Sequence, residues 1–128
     1  MPTDDTNQVI ALLGEDLDAL YARFGQELTG RRLGARPSSR ATRVERARAW
    51  LEANRETLCR TIGESPVVMA YLNDPRRVTR VELVTALLDA SALIAGLPSP
   101  VTLVAIIIKN GVRELCPRLD GDEHPERD

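Results

Sequence analysis

The stretch from Thr79 to Leu115, TRVELVTALLDASALIAGLPSPVTLVAIIIKNGVREL, limits what this chain can fold into more than any other part of it. It is the most apolar segment, and it is broken once, at Gly96-Leu97-Pro98-Ser99-Pro100. Its first half reads as a helix. Thr79 and Glu82 have capping-box spacing, in which the hydroxyl accepts from a backbone N–H three residues on and the carboxylate reaches back. From Val81 onward aliphatic residues cover most of the circumference, interrupted by Glu82, Thr85 and Asp89, which helical spacing gathers on one narrow stripe. A helix apolar nearly all round belongs at the centre of a fold, with neighbours on several sides. Gly96 suits the left-handed position that ends such a helix, and Pro98 and Pro100 cannot extend it.

The second half admits two readings. Ser99-Pro100 is an N-cap followed by a first-turn proline, which starts a helix. The β-branched run Val101, Thr102, Val104, Ile106, Ile107 and Ile108, followed by Asn110-Gly111, is instead the composition of a strand entering a hairpin. The run lacks the period-two alternation of a half-buried strand, and a lone hairpin would leave two exposed edges. A helix is therefore expected over 100–115, with Thr102, Lys109 and Arg113 on one side and Gly111 costing roughly 1 kcal/mol relative to alanine.

Upstream, Asp4, Asp5 and Thr6 provide a helix start, and Val9, Ile10, Leu13, Leu17, Leu20, Tyr21, Phe24 and Leu28 recur at steps of three and four. One amphipathic helix is expected over 5–28, with Glu15, Asp16, Asp18 and Arg23 outward and Gly25 as a possible early end. Residues 29–39, TGRRLGARPSS, have the composition of a linker. Ser39 caps an expected helix over 40–62 whose inward face is Val44, Ala47, Leu51, Leu58 and Ile62, with Trp50 at its shoulder. On that helix Arg48/Glu52 and Glu56/Arg60 are spaced as i,i+4 ion pairs. Ser65-Pro66 opens a short helix over 66–72, and Asn73-Asp74-Pro75 closes it. A further helix is expected over 76–95.

The expectation is an all-α fold: a compact irregular bundle of about five helices with a buried C-terminal helical hairpin. Residues 1–116 form one domain, and residues 117–128 a disordered polar tail. The chain has 128 residues, 43% apolar and 28% charged, which is enough for a core; only 3% are aromatic, so that core is aliphatic.

Charge is segregated along the chain. Residues 1–30 carry a net of −5, residues 31–60 a net of +6 and the remainder a net of −3, for −2 in total. The basic middle suggests an anion-binding patch built from Arg31, Arg32, Arg36, Arg40, Arg43 and Arg46. No aromatic residues are interleaved for base stacking, and the acidic first helix is a ready internal partner, so internal charge complementarity is the preferred reading. A helix-turn-helix at Arg76, Arg77 and Arg80 is rejected because the helix after it is too apolar for a DNA groove.

The ingredients of catalysis are missing. The single histidine, His124, lies in the polar tail, and no glycine-rich phosphate loop follows a strand. Glu15/Asp18 and Glu82/Asp89 read as solvated surface charge, the latter two with Arg76, Arg113 or Lys109 as candidate ion-pair partners. Cys59 and Cys116 read as buried free thiols in a reducing cytosol, with a disulfide joining the last helix to the second as the other reading. No metal, cofactor or catalytic residue is expected. Residues 92–108 contain Pro98, Ser99 and Pro100, which argues against a membrane span.

The functional expectation is a cytoplasmic, non-enzymatic protein–protein interaction domain, an adaptor or a self-associating chain whose partner is another protein or a second copy. Two aliphatic helices offer more apolar surface than a five-helix monomer can cover, and exposed apolar surface marks interfaces. The candidate interface is Val101, Val104, Ile107, Ile108, Val112 and Leu115. The alternative is a nucleic-acid-binding regulator using residues 31–48, and a third class is a membrane-inserting helical hairpin.

Overall fold

A computed structural model describes residues 4–29, 39–94, 97 and 99–117. The regular structure among these residues is all helical, with no strand: α1 (Asp4–Leu12), α2 (Leu17–Thr29), α3 (Arg40–Gly63), α4 (Pro66–Asn73), a 3-10 turn at Pro75–Arg77, α5 (Arg80–Ser91), α6 (Pro100–Asn110) and α7 (Val112–Leu115). The linker arginines Arg31, Arg32 and Arg36, the breakers Gly96 and Pro98, and the tail from residue 118 lie outside the described residues.

The helix starts fall where the side chains dictate. Ser39, Ser65 and Ser99 each accept a backbone N–H of the first turn, from Thr42, Val68 and Val101 respectively. The Thr79 hydroxyl accepts from the Glu82 N–H at 3.1 Å, and the Glu82 carboxylate accepts from the Thr79 N–H at 2.9 Å, which completes the capping box. Asp74 caps the 3-10 turn by accepting from the Arg76 N–H. Each such cap typically contributes about 1 kcal/mol.

The helix expected over 76–95 is shorter: Thr79 caps it so that it runs over Arg80–Ser91, with Pro75–Arg77 forming a separate 3-10 turn. Two other expected helices are divided. The first breaks after Leu12, and Asp16 restarts it: its carboxylate accepts from the Ala19 N–H at 2.7 Å, so a residue expected to face solvent is the cap of α2. The apolar period runs unbroken across the turn, with Leu13 and Leu17 four apart on either side, and for that reason periodicity did not reveal the break. The last helix is divided at Gly111, which has φ +100°, a conformation other residues rarely adopt. Asn110-Gly111 therefore redirects the chain between two helices and makes no hairpin. The kink also separates the three polar residues expected on one side. Lys109 donates to the Leu13 carbonyl, whereas Arg113 donates to the Leu72 carbonyl at the end of α4.

At the centre lies α6. All seven residues from Val101 to Ile107 are buried, and α1, α2 and α5 pack around them. The proposed interface set is thus interior: Val101, Val104, Ile107, Val112 and Leu115 are buried in the core, and Ile108 is half-buried against it. The sequence-based expectation failed because it counted too few covering elements. The divided helices wrap more closely than long rods would, and they close over α6.

α2 and α3 form the tightest crossing. A Cβ placed on Gly25 would lie 1.9 Å from the carbonyl oxygen of Arg43, so the helices approach backbone to backbone there. Gly25 is accordingly a contact point inside α2 and does not end it. Beside this crossing Phe24 meets Trp50 edge-to-face, with ring centroids 5.2 Å apart. The α3 face buried by the fold is Ala47, Leu51, Leu58 and Ile62, with Val44 and Trp50 half-buried, as the periodicity predicts.

Cys59 of α3 and Cys116, just beyond α7, are joined by a disulfide across a Cα–Cα distance of 5.6 Å. This corrects the expectation of free thiols: the two cysteines are buried or half-buried as expected, but the fold stacks the end of the chain on α3. Closing a loop of 57 residues corresponds to stabilisation on the order of 4 kcal/mol in the chain-entropy account.

Candidate functional site

The narrow stripe of polar residues on α5 becomes one wall of a groove. The lining residues of α5 and its exit turn are Val81, Glu82, Thr85, Ala86, Asp89, Ala90 and Leu93, an i,i+4 ridge along the helix. The opposite wall is the corner between α3 and α4, from Thr61 through Glu64, Ser65, Pro66 and Val67. The groove encloses about 760 Å³ and opens to solvent along its length.

Two properties set this groove apart. First, the exposed large hydrophobic side chains among the described residues are Val67, Val81 and Leu93, and all three line it. Leu93 is the extreme case, with 76% of its surface accessible. Second, its ionisable groups among the described residues are all acidic: Glu64, Glu82 and Asp89. Glu82 is committed to the cap of α5. The cations suggested for Glu82 and Asp89 are occupied elsewhere: Arg76 pairs with Asp74 at 3.5 Å, and Lys109 and Arg113 bond to backbone carbonyls. No ion pair within 4 Å is formed by Glu64 or Asp89 among the described residues.

A smaller cleft, of about 300 Å³, lies between α1, α2 and the start of α6 and is lined by Gln8, Arg23, Glu27, Ser99 and Thr102 among others. The Thr102 hydroxyl donates to Glu27 Oε2 at 2.8 Å, while Glu27 Oε1 is buried without a hydrogen-bond partner among the described residues. Burial pushes the Glu27 carboxyl above its ordinary value, and the Thr102 hydrogen bond and the Arg23 guanidinium partly offset that rise. Sequence reasoning passed over Glu27, because helical spacing places it among the polar residues of α2 and gives no sign that α6 crosses there.

Within the basic segment, the described arginines face α2. Arg40 pairs with Asp16 at 3.8 Å, Arg46 donates to the Thr29 hydroxyl, and the backbone of Arg43 is the contact point of Gly25. Arg48 pairs with Asp18 at 3.9 Å and lies 4.8 Å over the Tyr21 ring. The expected Arg48/Glu52 and Glu56/Arg60 pairs do not form, and Glu52 meets Arg55 instead. These exposed pairs contribute about 0–1 kcal/mol each, but together they orient the positive face of α3 toward the negative face of α2.

Among the described residues no helix is long and apolar enough to cross a membrane, and no three His, Cys, Asp or Glu side chains gather in a metal-binding group. Comparison with protein-family models, curated proteins and solved structures finds no match to this chain.

Of the groove residues, the acids of α5 were legible in advance as a polar stripe, but the wall from 61 to 67 was not. One signal was available there. Val67 and Val68 are adjacent on a short helix, so both cannot face the same core, and one of them has to point outward.

Proposed function

We propose that this chain is a non-enzymatic protein-interaction domain whose working surface is the groove between α5 and the α3–α4 corner. The observation that supports this most is the convergence of Val67, Val81 and Leu93, the exposed large hydrophobics, on one concave surface. A helix-in-groove contact uses this combination of apolar wall and polar rim. The surface first expected to serve, on α6 and α7, is enclosed by the chain itself. A photo-crosslinker placed at Leu93 in cells is expected to trap a discrete polypeptide, and the same group at exposed Ala53 on α3 is not. Equal labelling from both positions, or none from either, would count against the proposal.

The nucleic-acid alternative loses support from the engagement of Arg40, Arg46 and Arg48 by α2. A salt-dependent mobility shift abolished by changing Arg32, Arg36, Arg40 and Arg43 to alanine would revive it. Placement in the cytoplasm is part of the proposal, although the Cys59–Cys116 bond is characteristic of oxidising compartments. Counting free thiols in protein quenched directly from cells decides between a constitutive bond and a reduced cytoplasmic form.

A further inference from the structure

We infer that the occupant of the α5 groove is a cationic amphipathic helix belonging to a different protein, with an aliphatic ridge set against Val67, Val81 and Leu93 and Lys/Arg flanks facing Glu64 and Asp89. This rests on the proposal that the groove is a protein-binding surface and adds the chemistry of the partner.

Charge carries the choice of partner. Among the described residues the groove has a three-carboxylate lining with no cation in it, and two of those carboxylates, Glu64 and Asp89, form no ion pair. A partner bringing lysine or arginine satisfies them, whereas an anionic partner is repelled. A second copy of the chain fits badly in either possible arrangement. A two-fold contact apposes the same patch on both subunits, which brings Glu64, Glu82 and Asp89 against their own counterparts. A head-to-tail contact needs another exposed aliphatic patch to enter the groove. Among the described residues the exposed large hydrophobics already line the groove itself. The cationic face of α3 has the right charge but offers no large exposed apolar anchor.

Shape carries the choice of a helix. Val81 and Leu93, the latter in the turn just past α5, are twelve positions apart, roughly 18 Å if counted at helical rise, or about three turns of a partner. Anchors at i, i+4 and i+7 on that partner cover about 10 Å of the ridge and leave the flanking positions over the acidic rim. The apolar surface supplies affinity and the carboxylates supply orientation and rate of encounter.

The test uses the full chain, isotope-labelled, titrated with three synthetic peptides of equal length. One places leucine at i, i+3, i+4 and i+7 with lysine elsewhere; the second replaces every lysine by glutamate; the third keeps the lysine composition but shuffles the leucines. The patterned lysine peptide is expected to shift amides of residues 61–67 and 81–93 selectively. Leu93→Ser is expected to weaken it about tenfold, as for an interface anchor. The double variant Glu64→Gln/Asp89→Asn is expected to weaken it about fivefold at low salt, with the difference vanishing at high salt. These three side chains are exposed, so the variants leave the core untouched. If the glutamate peptide binds the same groove as tightly, with the same dependence on Leu93, the cationic partner is excluded while the groove remains a binding surface. If the shuffled peptide binds equally, the helix is excluded. If no peptide reaches the groove and the Leu93 crosslinker also traps nothing, the inference and the proposal beneath it both fail.

Discussion

α5 and α6 are close relatives in composition, both aliphatic, both started by a side-chain cap, and both central to the fold, yet one is enclosed and the other is open along a stripe. The difference lies in what their polar residues meet. On α6 the polar residues sit near its ends and each reaches another helix or turn: Thr102 to Glu27, Lys109 to the Leu13 carbonyl, and Asn110 to the Tyr21 hydroxyl at 2.9 Å. They act as ties that let the intervening residues be buried on every side. On α5 Thr85 also meets a neighbour, the Thr6 hydroxyl of α1 at 3.4 Å, and Ser91 is buried. The carboxylates Glu82 and Asp89, however, lie seven residues apart on one exposed side, so no neighbour can cover that side without burying a carboxylate. The stripe stays open, and Val81 and Leu93 beside it stay exposed with it. An aliphatic helix is thus enclosed or left accessible by the placement of a few polar residues, more than by its total hydrophobicity.

The sharpest way to break this contrast is Leu103→Ala, which removes a fully buried side chain from α6. It should cost about 3 kcal/mol of unfolding free energy, read as a drop in the urea midpoint at unchanged slope. Next comes the wall that encloses α6. Gly25→Ala forces a methyl group into the Arg43 carbonyl, and α2 must move off α3. A loss of about 2–3 kcal/mol is expected, accompanied by a change in Trp50 emission as the Phe24–Trp50 contact loosens.

A smaller effect, and one with a pH signature, is expected where α6 crosses α2. The folded-state pKa of Glu27 is raised by burial, so the folded protein holds this proton more tightly than the unfolded chain does. Above the raised value the buried carboxylate is ionised and weighs against folding. As pH falls through the folded pKa toward the unfolded one, that penalty is relieved. Glu27→Gln should therefore raise the denaturation midpoint at neutral pH, and its advantage should shrink as pH falls through the raised pKa and be absent below the ordinary carboxylate range. An advantage that persists unchanged at low pH would mean that the buried Oε1 is better satisfied by an amide, independent of charge.

The smallest effect belongs to the open helix. Leu93→Ala should change stability by less than about 0.5 kcal/mol, because the side chain is mostly exposed already. A large loss on chemical denaturation would show that Leu93 supports the fold, and the contrast between α5 and α6 would weaken accordingly.

Much of the architecture was legible before any coordinates. Ser39, Ser65, Ser99 and Thr79 start helices through hydrogen bonds that close within two or three residues, so local sequence contains both partners. The helical fate of Val101–Ile108 followed from the absence of alternation, despite a β-branched composition. The stripe Glu82, Thr85 and Asp89 was equally visible, since it depends only on helical period.

What lay beyond the sequence has a common physical reason: it required knowing which distant surfaces meet. The break at Asp16 left the apolar period intact. Gly25 looked like a helix end until α3 was laid across it, and Glu27 looked solvated until α6 was. Cys59 and Cys116 are separated by 57 positions and could be judged bonded only once their backbones stood 5.6 Å apart. The groove, likewise, is a property of two elements, α5 and the α3–α4 corner. Local hydrogen bonding and periodicity, written in neighbouring residues, determined the helices of this protein; its enclosed core and its open face were decided by packing between helices remote in sequence.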